Sequence, residues 1–306
     1  MKIEFPAPFK EKYKKILGKE YEKLEACLFI KPRKSIRVNT LKISREELLK
    51  RLKEKGIRLK QIPWYKDGFF VESEKGIAKT LEYFLGYYYI QEASSMIPPL
   101  ILNPKKGEKV LDLCAAPGSK TTQIAMLMKN SGLIVANDDN LERIKALRTN
   151  LQKMGVKNCI VTYEKGENFW KHGIKFDKVL VDAPCSGSGK IISSFSSINL
   201  WSQANVKKLS ILQKKIVFSA SKCLKENGTL VYSTCSLDPE ENEEVIDFCV
   251  RKLGLSVEKI EMKKLNYREG ILEWNGKKFD ESVKNAMRIF PFDNFTEGFF
   301  ICKLKK

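Results

Sequence analysis

From Val110 onward the sequence alternates short β-type apolar runs with helix-length amphipathic segments, and no other feature restricts the fold as much. Val110–Leu113, Leu133–Ala136, Ile160–Thr162 and Lys178–Val181 are expected as strands. Thr121–Met128 and Leu141–Met154 are expected as helices between them. This order predicts an α/β fold with a doubly wound, mostly parallel sheet. In such an open sheet, ligands bind at the carboxyl ends of the strands. Three strand ends therefore matter. The first is the turn Cys114-Ala115-Ala116-Pro117-Gly118-Ser119-Lys120-Thr121. The second is Asp182-Ala183-Pro184-Cys185-Ser186-Gly187-Ser188-Gly189. The third follows the apolar run Gly228–Tyr232 and reads Ser233-Thr234-Cys235-Ser236-Leu237-Asp238-Pro239-Glu240-Glu241-Asn242-Glu243. Cys185 and Cys235 are expected to face one crevice.

The first turn is neither G-x-G-x-x-G nor a Walker A loop, since Ser119 separates Gly118 from Lys120-Thr121. What remains is a strand, a turn of small residues and a helix N-terminus. Small side chains let a ligand approach the backbone, and a helix start favours a negative group such as a carboxylate. Asp138 lies 20 residues after Gly118, at the end of the second strand. That is the usual place for an acid that accepts ribose hydroxyls; the competing reading is a helix N-cap.

The chain has 306 residues, enough for one large domain or two ordinary ones, and 43% hydrophobic residues support a real core. There is no apolar run of about 18 residues and no signal-type N-terminus, which argues against membrane spanning and secretion. The net charge of +19 makes a polyanion the first partner to consider; a solvated lysine-rich surface is the competing reading. None of the eight cysteines stands at C-x-x-C spacing, and His172 is the single histidine. A zinc knuckle and a paired-histidine metal site are thereby disfavoured, and no metal is expected. The thiols fit a reducing, cytoplasmic chain. Cys27, Cys159, Cys223, Cys249 and Cys302 read as small buried hydrophobes. His172, in the polar loop Lys171-His172-Gly173, reads as a surface residue.

Residues 1 to about 30 read as a helical packing arm with a solvated face, with Phe9, Tyr13, Ile16 and Leu17 at helical spacing. Ile36–Leu41 alternates as a strand. Ser44-Arg45-Glu46-Glu47 has the form of a capping box, Leu48, Leu49 and Leu52 form one apolar face, and Gly56 ends the helix. Ile57–Ile62 and Gly68–Val71 follow as strands, giving a small α+β unit of RNA-recognition-like type. Residues 1–90 hold 22 Lys and Arg against 12 Asp and Glu, so about half the net charge sits in this part. In Gly86-Tyr87-Tyr88-Tyr89-Ile90-Gln91-Glu92-Ala93-Ser94-Ser95-Met96 the tyrosines could stack bases, but a core strand entering a helix at Glu92 is the stronger reading.

Three motifs in one chain carry a resemblance: Ala-Ala-Pro-Gly-Ser-Lys-Thr (115–121), Pro-Cys-Ser-Gly (184–187) and Ser-Thr-Cys-Ser-x-x-Pro-Glu-Glu-Asn-Glu (233–243). The chain resembles the RNA cytosine-C5 methyltransferases that use S-adenosylmethionine, over roughly residues 35–304. The stretches Arg37-Val38-Asn39-Thr40, Gln91–Met96, Arg288–Phe292 and Gly298–Phe300 also match. The resemblance implies a Rossmann-like methyltransferase sheet closed by an antiparallel edge, with residues 1–90 as a basic RNA-binding domain and 91–306 as the catalytic domain. It implies that Cys235 is the nucleophile and that Cys185 helps break the adduct. Asp182 would hydrogen-bond the base, with Lys120 beside it. It places S-adenosylmethionine along Cys114, Ala115, Ala116, Pro117, Gly118, Ser119, Lys120, Asp138, Arg143 and Asp182, with Cys114 lining without reacting. Two departures appear. Pro291-Phe292 stands where Pro-His is frequent, and Glu164-Lys165 stands where an Asp usually reads the adenine amino group, so that Glu164 or Lys165 is the candidate for that cofactor contact.

The chemistry explains the need for two thiols. Cytosine C5 is a weak nucleophile until a thiolate adds at C6, and the adduct must later lose the C5 proton and the C6–S bond. The resemblance implies a monomeric enzyme acting on tRNA, with rRNA as the nearest alternative. A catalytically idle RNA-binding assembly factor of the same fold is the alternative from another class. A DNA cytosine methyltransferase is disfavoured, because that family has its nucleophile at the Pro-Cys position.

Overall fold

The structure, a computed structural model, describes residues 5–73, 76–194, 198 and 201–306. Pro6 precedes α1 (Ala7–Leu17), which Gly18 ends at positive φ, and α2 (Tyr21–Ala26) follows. Their apolar residues Phe9, Tyr13, Tyr21 and Leu24 are buried. They pack with Ile191, Ile192, Trp201, Leu237 and Phe290, so the arm rests on the C-terminal two-thirds of the chain.

The next unit runs β1 (Ser35–Val38), α3 (Arg45–Glu54), β2 (Leu59–Ile62), β3 (Tyr65–Val71), the one-turn α4 (Leu81–Phe84) and β4 (Tyr88–Ile90). Its antiparallel sheet has the order β2-β3-β1-β4, a β-α-β-β-α-β arrangement. Ile36, Val38, Leu48, Leu52, Phe69 and Tyr88 fill its core. Ser44 Oγ caps α3 by accepting from the Glu47 amide at 3.2 Å. The reciprocal half of the capping box does not form, because the Glu47 carboxylate takes Arg51 Nε one turn on at 2.7 Å. Tyr88 is fully buried and its hydroxyl donates to the Ile77 carbonyl at 2.6 Å, so the tyrosine run is a core strand. The helix expected from Glu92 starts later, with a 3-10 turn over Ser94–Met96; Glu92 instead accepts from the Ser95 amide at 3.0 Å.

Arg37 fastens this unit to the large sheet. Its buried guanidinium donates to the Ser119 carbonyl at 2.7 Å and to Thr122 Oγ1 at 2.8 Å, and also reaches Gln91. Asn39 Nδ2 donates to the Gly86 and Met154 carbonyls, each at 2.8 Å. Two of the matching N-terminal stretches are thus latches between the units.

The large unit contains α5 (Ile97–Leu102), β5 (Lys109–Asp112), α6 (Ser119–Leu127), β6 (Leu133–Asp138), α7 (Leu141–Met154), β7 (Cys159–Tyr163) and β8 (Phe176–Asp182). It continues with α8 (Gln203–Cys223), β9 (Leu224–Thr234), α9 (Glu243–Leu253), β10 (Ser256–Glu258) and β11 (Arg268–Glu269). The hairpin β12 (Glu273–Trp274) and β13 (Lys277–Lys278), then β14 (Met287–Ile289), α10 (Pro291–Asn294) and β15 (Phe299–Lys305) complete it. The sheet order is β11-β14-β15-β9-β8-β5-β6-β7. Strands β7, β6, β5, β8 and β9 are parallel, while β15, β14 and β11 run antiparallel and β10 also pairs with β15. Apolar clusters cover both faces, one with Val179, Val181, Val217 and Tyr232, the other with Ile124, Ile134, Leu180 and Val231. The alternate orientation of Val179, Leu180 and Val181 is the period-two signature of a strand buried on both sides. The chain reverses its strand order at β5, which opens a crevice at the carboxyl ends of β5, β6 and β8.

Candidate active site

Asp182 pairs in register with Ser233 on the neighbouring parallel strand. Cys185 follows Asp182 by three residues and Cys235 follows Ser233 by two, so the adjacent turns bring the two thiols together. Their sulfurs lie 3.1 Å apart, and both line a cavity of about 210 Å³. The loops are also tied through their backbones. The Gly189 amide donates to the Cys235 carbonyl at 2.9 Å, and the Gly298 amide donates to the Gly189 carbonyl at 2.8 Å. A Cβ on Gly189 would stand 2.4 Å from the Gly298 oxygen, so only glycine fits.

Behind the thiols lies a buried polar network. Asp238 Oδ2 accepts from Ser188 Oγ at 2.7 Å and from Ser186 Oγ and Ser236 Oγ at 3.2 Å each. Glu241 accepts from the Ser186 amide at 2.9 Å and from both Ser186 Oγ and Ser236 Oγ at 2.5 Å. Burial, reinforced by the Asp238 charge, pushes the Glu241 carboxyl up to about 7.

The two thiols differ. The hydrogen bond with Cys185 and the charge of Lys190 pull Cys235 below the ordinary thiol value against the cost of burial. The same bond, with burial added, pushes Cys185 well above it. Cys114 also lines the cavity, but burial and the carboxylates of Asp112, Asp138 and Asp182 hold its thiol far up, as suits a non-reacting wall. Burial raises Cys27 and Cys223 to about 11 and Cys159 to about 12.

Asp182 is oriented at both oxygens: Lys120 Nζ lies 2.7 Å from Oδ2, and Ser233 Oγ donates to Oδ1 at 2.8 Å. Lys120 also donates to Ser95 Oγ at 3.0 Å. At the other end of the cavity, Asp138 is buried and accepts from the Ala116 amide at 3.0 Å and the Asn140 amide at 3.2 Å. It does not cap α7; Asn140 does, accepting from the Arg143 amide at 3.1 Å. Arg143 approaches Asp138 to 3.5 Å. Ala115, Ala116, Pro117, Gly118 and Ser119 form the turn behind Asp138 and lead into α6. Gly118 has φ 101°, and a Cβ there would meet Leu147 Cδ1 at 2.8 Å. The donor set suits an adenosyl sulfonium amino acid: a buried carboxylate for ribose hydroxyls, a helix N-terminus for a carboxylate, and a glycine wall at Gly166.

Glu164 and Lys165 are not among the residues lining the cavity. The Glu164 carboxylate accepts from the Lys165 amide at 2.8 Å and lies 3.8 Å from His172 Nε2; Lys165 and His172 are exposed. Phe292 stacks on Phe290, with ring centres 5.6 Å apart, in the cluster beneath α1 and α2. Lys190, Asp139 and Ile216 line the cavity without having been singled out from sequence. Asp139 adjoins Asp138 and was within reach of a motif reading. Lys190 was one lysine among many.

This sheet order, with an acidic strand end and a small-residue turn at the switch point, defines a Rossmann-like methyltransferase that uses S-adenosylmethionine. The sequence model of the family described as 16S rRNA methyltransferase RsmB/F matches residues 99–305, and that of the N-terminal domain of 16S rRNA methyltransferase RsmF matches residues 5–93. The chain belongs to this family of RNA cytosine-C5 methyltransferases. It is 44% identical to a tRNA (cytosine(49)-C(5))-methyltransferase of Pyrococcus abyssi, covering 97% of this chain and 99% of that one. It is 41% identical to the ribosomal RNA small subunit methyltransferase F of Vibrio parahaemolyticus over 90% of its own length, and spans 57% of that relative. Among solved structures, a methyltransferase homolog protein from Pyrococcus horikoshii superposes with TM-score 0.90 at 37% identity, covering 99% and 96% of the two chains. NSun6 from Pyrococcus horikoshii, solved with SFG, superposes with TM-score 0.85 at 26% identity over 99% of both.

Proposed function

We propose that the enzyme methylates C5 of a cytosine in tRNA, with Cys235 as nucleophile. The observation that carries the reading is the thiol pair at 3.1 Å, with Cys235 on the acidic side of it. The Cys235 thiolate adds to C6 of the cytosine, and the C5=C6 electron pair moves to C5. S-adenosylmethionine, when bound along Asp138 and the turn at Gly118, supplies an electrophilic methyl group. Asp182, fixed by Lys120 and Ser233, accepts a hydrogen bond from the 4-amino group, and the Lys120 charge steadies electron density gained at N3. After methylation the C5 proton passes to solvent water, its electron pair re-forms C5=C6, and the C6–S bond breaks with its pair on sulfur, returning Cys235 as thiolate. Cys185 is placed to assist that elimination. The cytosine must leave its stack to reach the crevice, so loops and distorted sites are the favoured targets.

tRNA is preferred over rRNA because the relative matched along nearly its whole length acts on tRNA, whereas the rRNA enzymes extend well beyond the matching part. Residues 1–90 supply basic surface for the RNA and residues 91–306 the chemistry. The enzyme acts as a cytoplasmic monomer and without a metal. No helix among the described residues is long and apolar enough to cross a membrane, and no cluster of His, Cys, Asp and Glu among them could hold a metal ion.

The test incubates the purified enzyme and S-adenosylmethionine with tRNA and rRNA transcripts and maps 5-methylcytosine by bisulfite sequencing. Conversion-resistant cytosines in tRNA are expected; resistance confined to rRNA would overturn the target, and none in either would overturn the activity. RNA affinity should fall with salt on a log–log slope of about several units, through counterion release.

A further inference from the structure

We infer that Lys12, on the N-terminal arm, is a positioning residue for the two thiols: its buried charge balances the carboxylate that holds both cysteine loops. Lys12 is 8% exposed, and its Nζ lies 2.5 Å from Asp238 Oδ1 and 2.8 Å from Glu240 Oε2. It also donates to Gln203 Oε1 at 3.0 Å and sits over the rings of Trp201 and Trp274, at 5.4 and 5.9 Å. Asp238 is wholly buried. Its other oxygen holds the hydroxyls of Ser186, the neighbour of Cys185, and Ser236, the neighbour of Cys235, along with Ser188 and Trp201 Nε1. Each cysteine is therefore one residue from a serine whose hydroxyl is held between two buried carboxylates, Glu241 at 2.5 Å and Asp238 at 3.2 Å, and Asp238 faces a cation 226 positions earlier in the chain.

An uncompensated buried charge is costly, and a neighbouring negative charge disfavours a thiolate. Without the Lys12 charge, Asp238 stands beside Glu240 and Glu241 with less to offset it. The serine anchors loosen and the field at the thiols turns more negative. The charged or titratable groups facing Cys235 are Cys185, Lys190, Asp182 and Glu297. Those facing Asp238 are Lys12, Tyr13 and Glu241, with Arg288 near Tyr13. Lys12 is the one of these that the arm brings as a cation. The arm then belongs functionally with the catalytic loops and not with the RNA-binding sheet.

The inference rests on Cys235 as nucleophile, so its test reads the thiol directly. Lys12→Gln keeps a hydrogen-bond donor and removes the charge; Lys12→Arg keeps the charge. Iodoacetamide labelling of Cys235 is followed against pH by peptide mass mapping in the full chain, without RNA or cofactor. Lys12→Gln should raise the labelling midpoint by about one pH unit and lower kcat about tenfold, with KM for RNA within about twofold. Lys12→Arg should keep the native midpoint. An unmoved midpoint and kcat in folded Lys12→Gln overturn the inference, and so does a raised KM with unchanged kcat, which would make Lys12 an RNA contact. If Lys12→Gln does not fold, Lys12→Met, which fills the space without the charge, decides: a raised midpoint supports the role and a native one overturns it. The nucleophile reading fails by a different sign, namely methylation surviving in Cys235→Ala.

Discussion

The turn after β8 and the turn after β9 each carry one cysteine among serines and a proline, yet the two thiols stand in opposite states. Cys185 sits on a loop whose Ser186 and Ser188 are tied back to Asp238 and Glu241, and its proton is held. Cys235 faces Lys190 and shares a hydrogen bond with its partner, which together hold its thiol below the ordinary value. The residue types are nearly the same; the charge facing each sulfur is not. A hydrogen-bonded thiol pair shares its proton unequally, and beside that bond the Lys190 charge favours the ionised form at Cys235.

The contrast breaks most sharply at Cys235. Cys235→Ala should lower methylation on the order of 10⁴-fold or more and yield no covalent RNA complex, because nothing remains to add at C6. Cys185→Ala should also stop turnover, but with S-adenosylmethionine present a protein–RNA complex should survive denaturing electrophoresis. Finding the complex in Cys235→Ala instead would reverse the two roles.

The cofactor end offers a control on how local the contrast is. Asp138→Ala should weaken S-adenosylmethionine binding by about 1–3 kcal/mol in calorimetry, since a buried acceptor is lost, without changing which thiol labels first. An unchanged affinity removes Asp138 from the site. Lys190→Gln should slow the reaction about tenfold at neutral pH. A cation lowers a thiol's pKa, so its loss moves the acid limb of the pH–rate profile to higher pH, and the two enzymes should converge in alkali. Parallel profiles at all pH values would mean that Lys190 does not set the thiol balance.

The smallest effect concerns stability. Asp112 and Glu241 are raised to about 7, chiefly by burial, above ordinary values near 3.8 and 4.5. Protonated in the fold and ionised in the unfolded chain, they contribute stability that is full below about pH 4 and lost as pH rises through about 7. Asp112 Oδ1 has no hydrogen-bond partner among the described residues, while Oδ2 accepts from Thr121 at 2.7 Å. Asp112→Asn should therefore flatten the decline in Tm between pH 4.5 and 7.5. An equally steep decline would show that Asp112 ionises normally.

The α/β core was readable because its signals are local. The helix expected over Leu141–Met154 occupies those residues, and the expected strands at Val110, Leu133, Ile160 and Lys178 appear within two residues at each end. The Cys185–Cys235 meeting followed from two strands that end side by side. What stayed hidden depends on contacts far apart in sequence. Lys12 is one of Lys10, Lys12, Lys14 and Lys15, and only the fold separates a buried ion pair from a solvated face. Lys190 acquires meaning only where the two turns converge. The short strands β10 to β13 carry too few residues for a period to show.

The glycine contact that laces the turns, Gly189 against Cys235 and Gly298, has a consequence for inheritance. Three segments far apart in the chain share one spacing, so none can drift alone. A chimera that takes the turn after β8 from one relative and the turn after β9 from another should express a folded sheet with misaligned thiols. Exchanging both turns together with the residues around Gly298 should restore the pair. For recombination, the three segments behave as a single heritable block.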